Sequence, residues 1–274
     1  MIDLKETLKK IIDNKSDYLV KEYERDLSYA RKIQMSLIPD EFPETEKYRF
    51  YGKYLPADLI GGDLFDIKVI DEKYVIFYIA DVVGHGVGAA MLTVFVKQSI
   101  EMTSTLYGKP IINSPKQVLE KLNKKMIETD FEGNPQVTIF YSILDVENLL
   151  LTYSSAGHHH SIIVREKNPE PILIGKNSMP VGWVKDLNLY EENIELKEKD
   201  KIILFTDGIF EFENKKNIDE SFLNFVNKII ENREYPINKL IKNIIDEYED
   251  SIKEKQEDDV AILGVEIKEF KRGE

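Results

Sequence analysis

The stretch that organises this sequence reads YVIFYIADVVGHG and spans residues 74–86. Its first seven residues are apolar and mostly β-branched or aromatic, which predicts a buried strand that ends at Asp81. Asp81 therefore lies where the strand leaves its sheet, and Gly84 and Gly86 predict a tight turn directly after it. An aspartate beside glycine at the end of a buried strand is the pattern that recurs along this chain.

The same pattern occurs at three other places. Asp63 follows a Gly-Gly pair, Asp207 closes the apolar run 201–206 and precedes a glycine, and Asp258-Asp259 precede the apolar run that starts at residue 260. One such aspartate is usually a turn former or a helix cap. Four sites in one domain can converge if their strands share a layered core, and clustered carboxylates then share protons or cations. Because Mg²⁺ and Mn²⁺ prefer oxygen ligands, the spacing favours a two-metal hydrolytic site.

The composition excludes several classes of protein. The 274 residues include 37 Lys+Arg and 50 Asp+Glu, and the net charge of −13 argues against a general electrostatic grip on nucleic acid or anionic lipid. The absence of cysteine excludes disulfides, thiolate zinc sites, iron–sulfur clusters and a cysteine nucleophile. The first ten residues are charged where a signal peptide would be apolar, and the longest apolar run, 74–83, is far shorter than the ~20 residues of a membrane span. We therefore expect a cytoplasmic protein.

Residues 1–38 predict a long helix, because they contain neither glycine nor proline and are rich in Lys, Glu, Leu and Ile. Steps of four and three residues give a heptad seam with six apolar positions out of eight: Ile12, Ser16, Leu19, Tyr23, Asp26, Ala30, Ile33 and Leu37. The seam fits an amphipathic helix that lies on its own domain, and it fits a dimerising coiled coil equally well. Pro39 and Pro43 end the helix, so we divide the chain into a helical segment, 1–38, and a catalytic domain, 39–274.

The remainder predicts an α+β fold with layers, because its strands cluster instead of alternating strictly with helices. The apolar and β-branched runs predict strands at 48–54, 64–70, 74–81, 137–145, 150–156, 161–165, 201–206 and 260–267. Helical periodicity predicts helices at 88–106, 115–131, 219–232 and 237–255.

Seven motifs in order give this chain a family resemblance over residues 28–267. They are ARKIQxxLIP (30–39), GGDxxD (61–66), DVxGHGxxAA (81–90), AGH (156–158), MPxG (179–182), TDGxxE (206–211) and DD (258–259). The chain resembles the SpoIIE/RsbU-like bacterial branch of the metal-dependent (PPM, protein phosphatase 2C-like) Ser/Thr phosphatases. The resemblance implies an αββα sandwich, in which two antiparallel sheets are flanked by helices and the metals bind at one edge.

The resemblance also implies a set of metal ligands: Asp63, Asp81, the carbonyl of Val82, Asp207 and Asp258. Asp81 matches the ligand that bridges the two ions. Asp63 and Val82 match ligands of the second ion, and Asp207 and Asp258 complete the first. Asp259 is a further metal candidate but the weaker of its pair, because relatives carry Asp or Asn there.

Other motif residues have less defined roles. Asp66 is typical of the bacterial branch. It could support a metal ligand without touching the metal, or it could stabilise a turn, and the sequence fits both roles equally well. His85 is an alternative general acid, although a histidine between two glycines is more often a turn residue. His158-His159-His160 suggest a metal site, but consecutive strand residues point to opposite faces, so we interpret them as structural. The sequence gives no candidate for an arginine that binds the substrate phosphate.

The implied activity is that of a protein-serine/threonine phosphatase with two Mn²⁺ or Mg²⁺ ions, in which a metal-bridging water attacks the phosphorus. The implied substrate is a phosphorylated STAS-domain protein, an anti-sigma factor antagonist of a partner-switching pathway. We expect helix 1–38 to form a homodimer or to bind an upstream activator, and we expect no binding to nucleic acid or membrane.

Two alternatives remain open. The chain could be a catalytically silent binding or scaffold module with the same fold, although every ligand that is a side chain is acidic here. The run Gly61-Gly62-Asp63-Leu64-Phe65 also resembles the Gly-Gly-Asp-Glu-Phe motif of cyclic-dinucleotide synthases, but Leu64 stands where that motif needs a second acid.

Overall fold

The computed structural model describes residues 4–107, 109–176, 178–212, 217–252 and 256–270, and in its first helix it describes side chains from Tyr18 onward. The chain forms two compact units, Met1–Leu37 and Ile38–Glu274. The first unit is helix α1 (Leu4–Met35), which confirms the predicted N-terminal helix. Residues 1–3 of the predicted helix and the side chains of Ile12 and Ser16 lie outside the described residues. In the described ranges, no helix combines the length and the apolar character that crossing a membrane requires.

Two antiparallel sheets of five strands form the centre of the second unit. The first sheet has the order β10-β7-β6-β3-β2, with β2 (Asp63–Val69), β3 (Tyr74–Val82), β6 (Val137–Asp145), β7 (Leu150–Ala156) and β10 (Glu192–Glu195). The second sheet has the order β1-β12-β11-β8-β9, with β1 (Tyr48–Leu55), β8 (Ser161–Arg165), β9 (Asn168–Ile174), β11 (Lys201–Phe205) and β12 (Val260–Ile267). A separate hairpin pairs β4 (Thr103–Leu106) with β5 (Lys109–Ile112).

The helices of this unit are α2 (Gly86–Ser99), α3 (Pro115–Thr129), α4 (Gly208–Glu211), α5 (Ile218–Glu231) and α6 (Ile237–Ser251). Strand alternation explains how they pack, because successive side chains point to opposite faces of a sheet. In β3, Phe77 and Ile79 face the core between the sheets, whereas Ile76 and Tyr78 belong to the core that includes residues of α2 and α3. A third core joins the outer face of the second sheet to α5 and α6. The result is the expected αββα sandwich.

The structure also corrects parts of the prediction. The predicted helix 88–106 ends at Ser99, because Thr103–Leu106 forms a strand, as its threonines favour. Strand β9 was not predicted because it contains two prolines, which an edge strand tolerates. Strand β10 has four mostly polar residues and gives too weak a signal.

Candidate metal and active site

Two aspartates of the first sheet face each other at one end of the sandwich. Asp63 opens β2 and Asp81 lies near the end of β3, and the two are directly opposite in the antiparallel register. By alternation, Asp63 shares a face with Phe65 and Asp81 shares one with Ile79, and both apolar residues belong to the core between the sheets. The two carboxylates therefore project into the layer between the sheets.

The second sheet brings its acids to the same end. Thr206 and Asp207 follow β11, while Asp258 and Asp259 precede its antiparallel neighbour β12. The hydroxyl of Thr206 donates to Oδ2 of Asp63 at 2.6 Å and accepts the backbone N–H of Ala261 at 2.8 Å. This bond connects the two sheets directly at the acid cluster, which we define as Asp63, Asp81, Asp207, Asp258 and Asp259.

Asp259 holds the loop that leads into β2. Its two carboxylate oxygens accept the backbone N–H groups of Ala57, at 2.8 Å, and of Gly62, at 2.5 Å. The side chain is buried, whereas Asp258 is exposed. Because both oxygens of Asp259 have backbone donors, the geometry favours Asp258 over Asp259 as a metal ligand.

The electrostatics of the cluster are those of carboxylates placed close together in a poorly solvated site. Burial, reinforced by the charges of Asp207 and Asp258, raises the pKa of Asp81 to about 7. Burial and the charge of Asp81 raise the pKa of Asp63 well above its usual range, against the hydrogen bond from Thr206. Burial also raises the pKa of Asp207. In the described part of the chain, no lysine or arginine forms an ion pair with Asp63, Asp81 or Asp207.

The donor set fits hard divalent cations, although the site is not a closed coordination shell. Among the described residues, no three histidine, aspartate or glutamate side chains are close enough to hold one ion. Neighbouring carboxylates help to raise the pKa values of Asp63 and Asp81, and all the candidate donors are oxygens. Mg²⁺ and Mn²⁺ suit such a set because they keep several waters and need few protein ligands.

The absence of a side chain at Gly62 leaves space beside the backbone at the end of β3. A Cβ on Gly62 would lie 2.6 Å from the carbonyl oxygen of Val82 and 3.4 Å from that of Gly84. Glycine at position 62 thus leaves space around the Val82 carbonyl, the backbone oxygen that the sequence predicts as a ligand.

Asp66 does not join the acid cluster. Successive residues of a strand point to opposite faces, so Asp66 lies on the same face of β2 as Leu64 and on the face opposite Asp63. Its carboxylate is 3.0 Å from Nζ of Lys97, in the last turn of α2. Asp66 therefore ties α2 to the first sheet, a role that neither sequence hypothesis included.

The histidines have different positions. His85 is the exposed N-cap residue of α2 and makes no side-chain capping bond. His158 is buried and hydrogen-bonded, and His159 stacks on Phe205 with a ring separation of 4.7 Å. The ring nitrogen Nδ1 of His159 lies 3.1 Å from the carbonyl oxygen of His160. These contacts support the structural interpretation of His158 and His159.

Comparison with known proteins decides the family. Residues 71–268 match the sequence model of a protein family that is described as Stage II sporulation protein E (SpoIIE). The chain belongs to the SpoIIE family. It is 26% identical over 190 residues to the phosphoserine phosphatase RsbU of Bacillus subtilis (strain 168), an alignment that covers 69% of this chain and 55% of RsbU. This SpoIIE-family chain thus spans about half the length of the curated relatives that it matches.

Solved structures support the fold. The SiaA-PP2C domain of Pseudomonas aeruginosa superposes with a TM-score of 0.73 at 16% identity, over 91% of this chain and 98% of that domain. RsbX in complex with magnesium superposes with a TM-score of 0.60 at 19% identity, over 83% of this chain and 98% of that one. Leu64, which stands where a cyclic-dinucleotide synthase motif needs a second acid, packs in the core that includes residues of α2 and α3, on the face of β2 opposite Asp63.

Thr206 and Lys97 were missed by the sequence reasoning. The position of Thr206 could have been predicted. Alternation places it on the same face as Ile202 and Leu204, which point into the layer between the sheets. Lys97 depends on how α2 lies over β2, and no local pattern in the sequence gives that position.

We predict that Gly62→Ala disturbs the end of β3, because its Cβ would lie 2.6 Å from the Val82 carbonyl oxygen. Overpacking of this kind costs about 1–3 kcal/mol of unfolding free energy. We also expect Mn²⁺ affinity to fall at least ~10-fold, as for other changes next to ligands. The matched control is Gly88→Ala in α2, where an added Cβ meets nothing within 4 Å and should stabilise the helix by up to ~1 kcal/mol. Equal unfolding midpoints and Mn²⁺ affinities for the two variants would show that Gly62 has no such role.

The pKa of Asp81 predicts that the metal-free protein loses stability as pH rises. With its pKa raised from 3.8 to about 7, folded Asp81 retains a proton that the unfolded chain releases. The favourable contribution is complete below pH ~4 and is lost as pH rises through about 7. In EDTA, urea unfolding at pH 5.5 should therefore give a free energy about 2 kcal/mol larger than at pH 7.5. Asp81→Asn should make this dependence shallower, while the raised pKa values of Asp63 and Asp207 leave a remaining slope of the same sign. A wild-type profile no steeper than that of Asp81→Asn would contradict the prediction.

Proposed function

We propose that this SpoIIE-family chain is a metal-dependent protein-serine/threonine phosphatase. The observation that carries the proposal is the gathering of acids from four distant segments at one end of the layer between the sheets, where Thr206 joins Asp63 to the second sheet. Its relative RsbU is named a phosphoserine phosphatase. Hydrolysis of a phosphomonoester at such a site needs no covalent intermediate, in keeping with the lack of cysteine.

The residues proposed to hold the metals, Mn²⁺ or Mg²⁺, are Asp63, Asp81, the Val82 carbonyl, Asp207 and Asp258. A bound pair of divalent cations activates water and clamps the phosphoryl oxygens for in-line attack. A solved structure with the same fold is described as RsbX in complex with magnesium. The raised pKa values of Asp63 and Asp81 agree with a site in which cations replace protons.

The protein's own groups arrange this site. Thr206 orients the carboxylate of Asp63 by donating a hydrogen bond to one of its oxygens. Asp259 holds the backbone of Ala57 and Gly62, so the loop before Asp63 has a fixed path. Asp81 projects from a strand with paired neighbours on both sides, and its position is therefore rigid.

The proposed substrate is a phosphorylated STAS-domain protein, the anti-sigma factor antagonist of a partner-switching pathway in the cytoplasm. The support is the resemblance to RsbU together with the match to the SpoIIE family. The chain's net charge of −13 makes an unaided electrostatic grip on an acidic phosphoprotein unfavourable, so bound cations would supply the attraction for the phosphate.

The direct test is Mn²⁺-dependent release of phosphate from a phosphoserine STAS protein. We expect turnover by the wild type and a loss of at least ~10³-fold in Asp81→Asn, because the change removes a charged ligand. Asp145→Asn is the matched control, since Asp145 ends β6 at the opposite end of the sandwich and caps a turn through the N–H of Asn148. Release by wild type that equals release by Asp81→Asn would favour the alternative, a catalytically silent binding or scaffold module of the same fold.

For the first unit we propose homodimerisation through α1, with binding of an upstream activator as the alternative use. The seam positions Leu19, Tyr23 and Ile33 are 53%, 62% and 48% exposed, so an apolar stripe is available for a partner helix. Apolar residues at this spacing form coiled coils when two helices pair.

Deletion of residues 1–26 should convert a dimer into a monomer and change basal phosphatase activity. Light scattering gives the mass, and the phosphate-release assay gives the activity. Replacing exposed Leu19 and Tyr23 by Glu should have the same effect on mass without shortening the chain. An unchanged mass and activity in both variants would dispose of this proposal.

A further inference from the structure

His158 joins the two sheets next to the acid cluster. Its ring lies in the turn that follows β7 and is only 5% exposed. The ring nitrogen Nε2 is 3.0 Å from the carbonyl oxygen of Phe205, at the end of β11, and Nδ1 is 3.2 Å from the hydroxyl of Thr138, on β6. Because β11 belongs to the second sheet and β6 to the first, one imidazole connects both.

The two partners define the direction of these bonds. A carbonyl oxygen only accepts, so Nε2 of His158 carries the proton and donates to Phe205. In the neutral ring Nδ1 then accepts, and the hydroxyl of Thr138 donates to it. Burial lowers the pKa of His158 well below its usual range, which keeps the ring neutral.

Each partner of His158 adjoins a member of the acid cluster. Thr138 is directly opposite Asp81 in the register of β3 and β6. Phe205 immediately precedes Thr206 and Asp207 in the chain, and Thr206 donates to Asp63. The end of β11 is thus tied to the first sheet at two successive residues, at Phe205 to β6 and at Thr206 to β2.

We propose that His158 is a positioning residue that fixes Asp207, from the second sheet, relative to Asp81, from the first. Backbone ladders set the register only within a sheet, so side chains must set the separation between the two sets of acids. His158 does so by joining Phe205 to Thr138, without touching substrate or metal. The consequence for metal binding rests on the proposed function, whereas the consequence for the end of β11 does not.

Two variants cut the same link in different ways. Thr138→Val keeps the side-chain shape and removes the hydroxyl. His158→Gln offers an amide N–H to the Phe205 carbonyl, but its amide oxygen is attached one atom further along the side chain than Nδ1 and does not replace that acceptor for Thr138. The control is Thr152→Val on β7, which removes a hydroxyl bonded to Asn193, between β7 and β10 within the first sheet.

The measurements are amide hydrogen exchange of the peptide that contains residues 205–207, in EDTA, and the Kd for Mn²⁺ from calorimetric titration. We expect Thr138→Val and His158→Gln each to exchange at least ~10-fold faster there and to bind Mn²⁺ ~10–100-fold more weakly, as for other residues that orient ligands. Thr152→Val should change neither quantity. The double variant of Thr138 and His158 should be no worse than either single one, because both remove one interaction.

The positioning role would be overturned if Thr138→Val and Thr152→Val had the same hydrogen exchange at residues 205–207 and the same Mn²⁺ affinity. So would losses that simply follow the melting temperature across all variants. Wild-type protein that binds no Mn²⁺ would count against the proposed phosphatase, and hydrogen exchange in EDTA would still decide whether His158 holds the end of β11.

Discussion

Carboxylates that share one buried end of a two-sheet sandwich repel one another, and the surrounding structure has to offset that repulsion. Asp63 and Asp81 lie opposite each other, and their pKa values rise because they are buried and close to other acids. The protein offsets part of the cost with the Thr206 hydroxyl and with backbone N–H groups directed at Asp259. Divalent cations would offset the remainder, so the same repulsion that destabilises the metal-free protein would favour metal binding.

The acids come from two different sheets, and this division explains why polar cross-links concentrate beside them. Thr206 connects β11 to β2, Asp259 connects the start of β12 to the loop before β2, and His158 connects β11 to β6. Apolar packing between the sheets tolerates small sliding movements, whereas directional hydrogen bonds do not. Polar groups at this end of the layer between the sheets thus serve the geometry of the proposed site more than the stability of the fold.

Local patterns in the sequence predicted a layered α+β fold and the gathering of the acids, and the family resemblance implied the αββα sandwich. The strands 137–145, 150–156, 161–165 and 260–267 were predicted with the bounds that the structure shows, since continuous apolar runs mark strands covered on both faces. Alternation within β2 could also have separated Asp66 from Asp63. The partnership of Asp66 with Lys97 and the bridge made by His158 could not be predicted, because each depends on how a helix or a turn lies over distant strands. Asp259 illustrates a further limit: its neighbour Asp258 has the same chemistry, and only the backbone donors of Ala57 and Gly62 distinguish the two.

The proposal of a phosphatase rests on family membership and on the geometry of the acid cluster, and its central claim is that these acids capture a pair of divalent cations. The most direct measurement is electron paramagnetic resonance of the protein titrated with Mn²⁺. The account predicts two ions per chain with a spin-coupled spectrum, because ions that share Asp81 would be only about 3.5–4 Å apart. A single uncoupled ion, or no protein-bound signal at millimolar Mn²⁺, would contradict it.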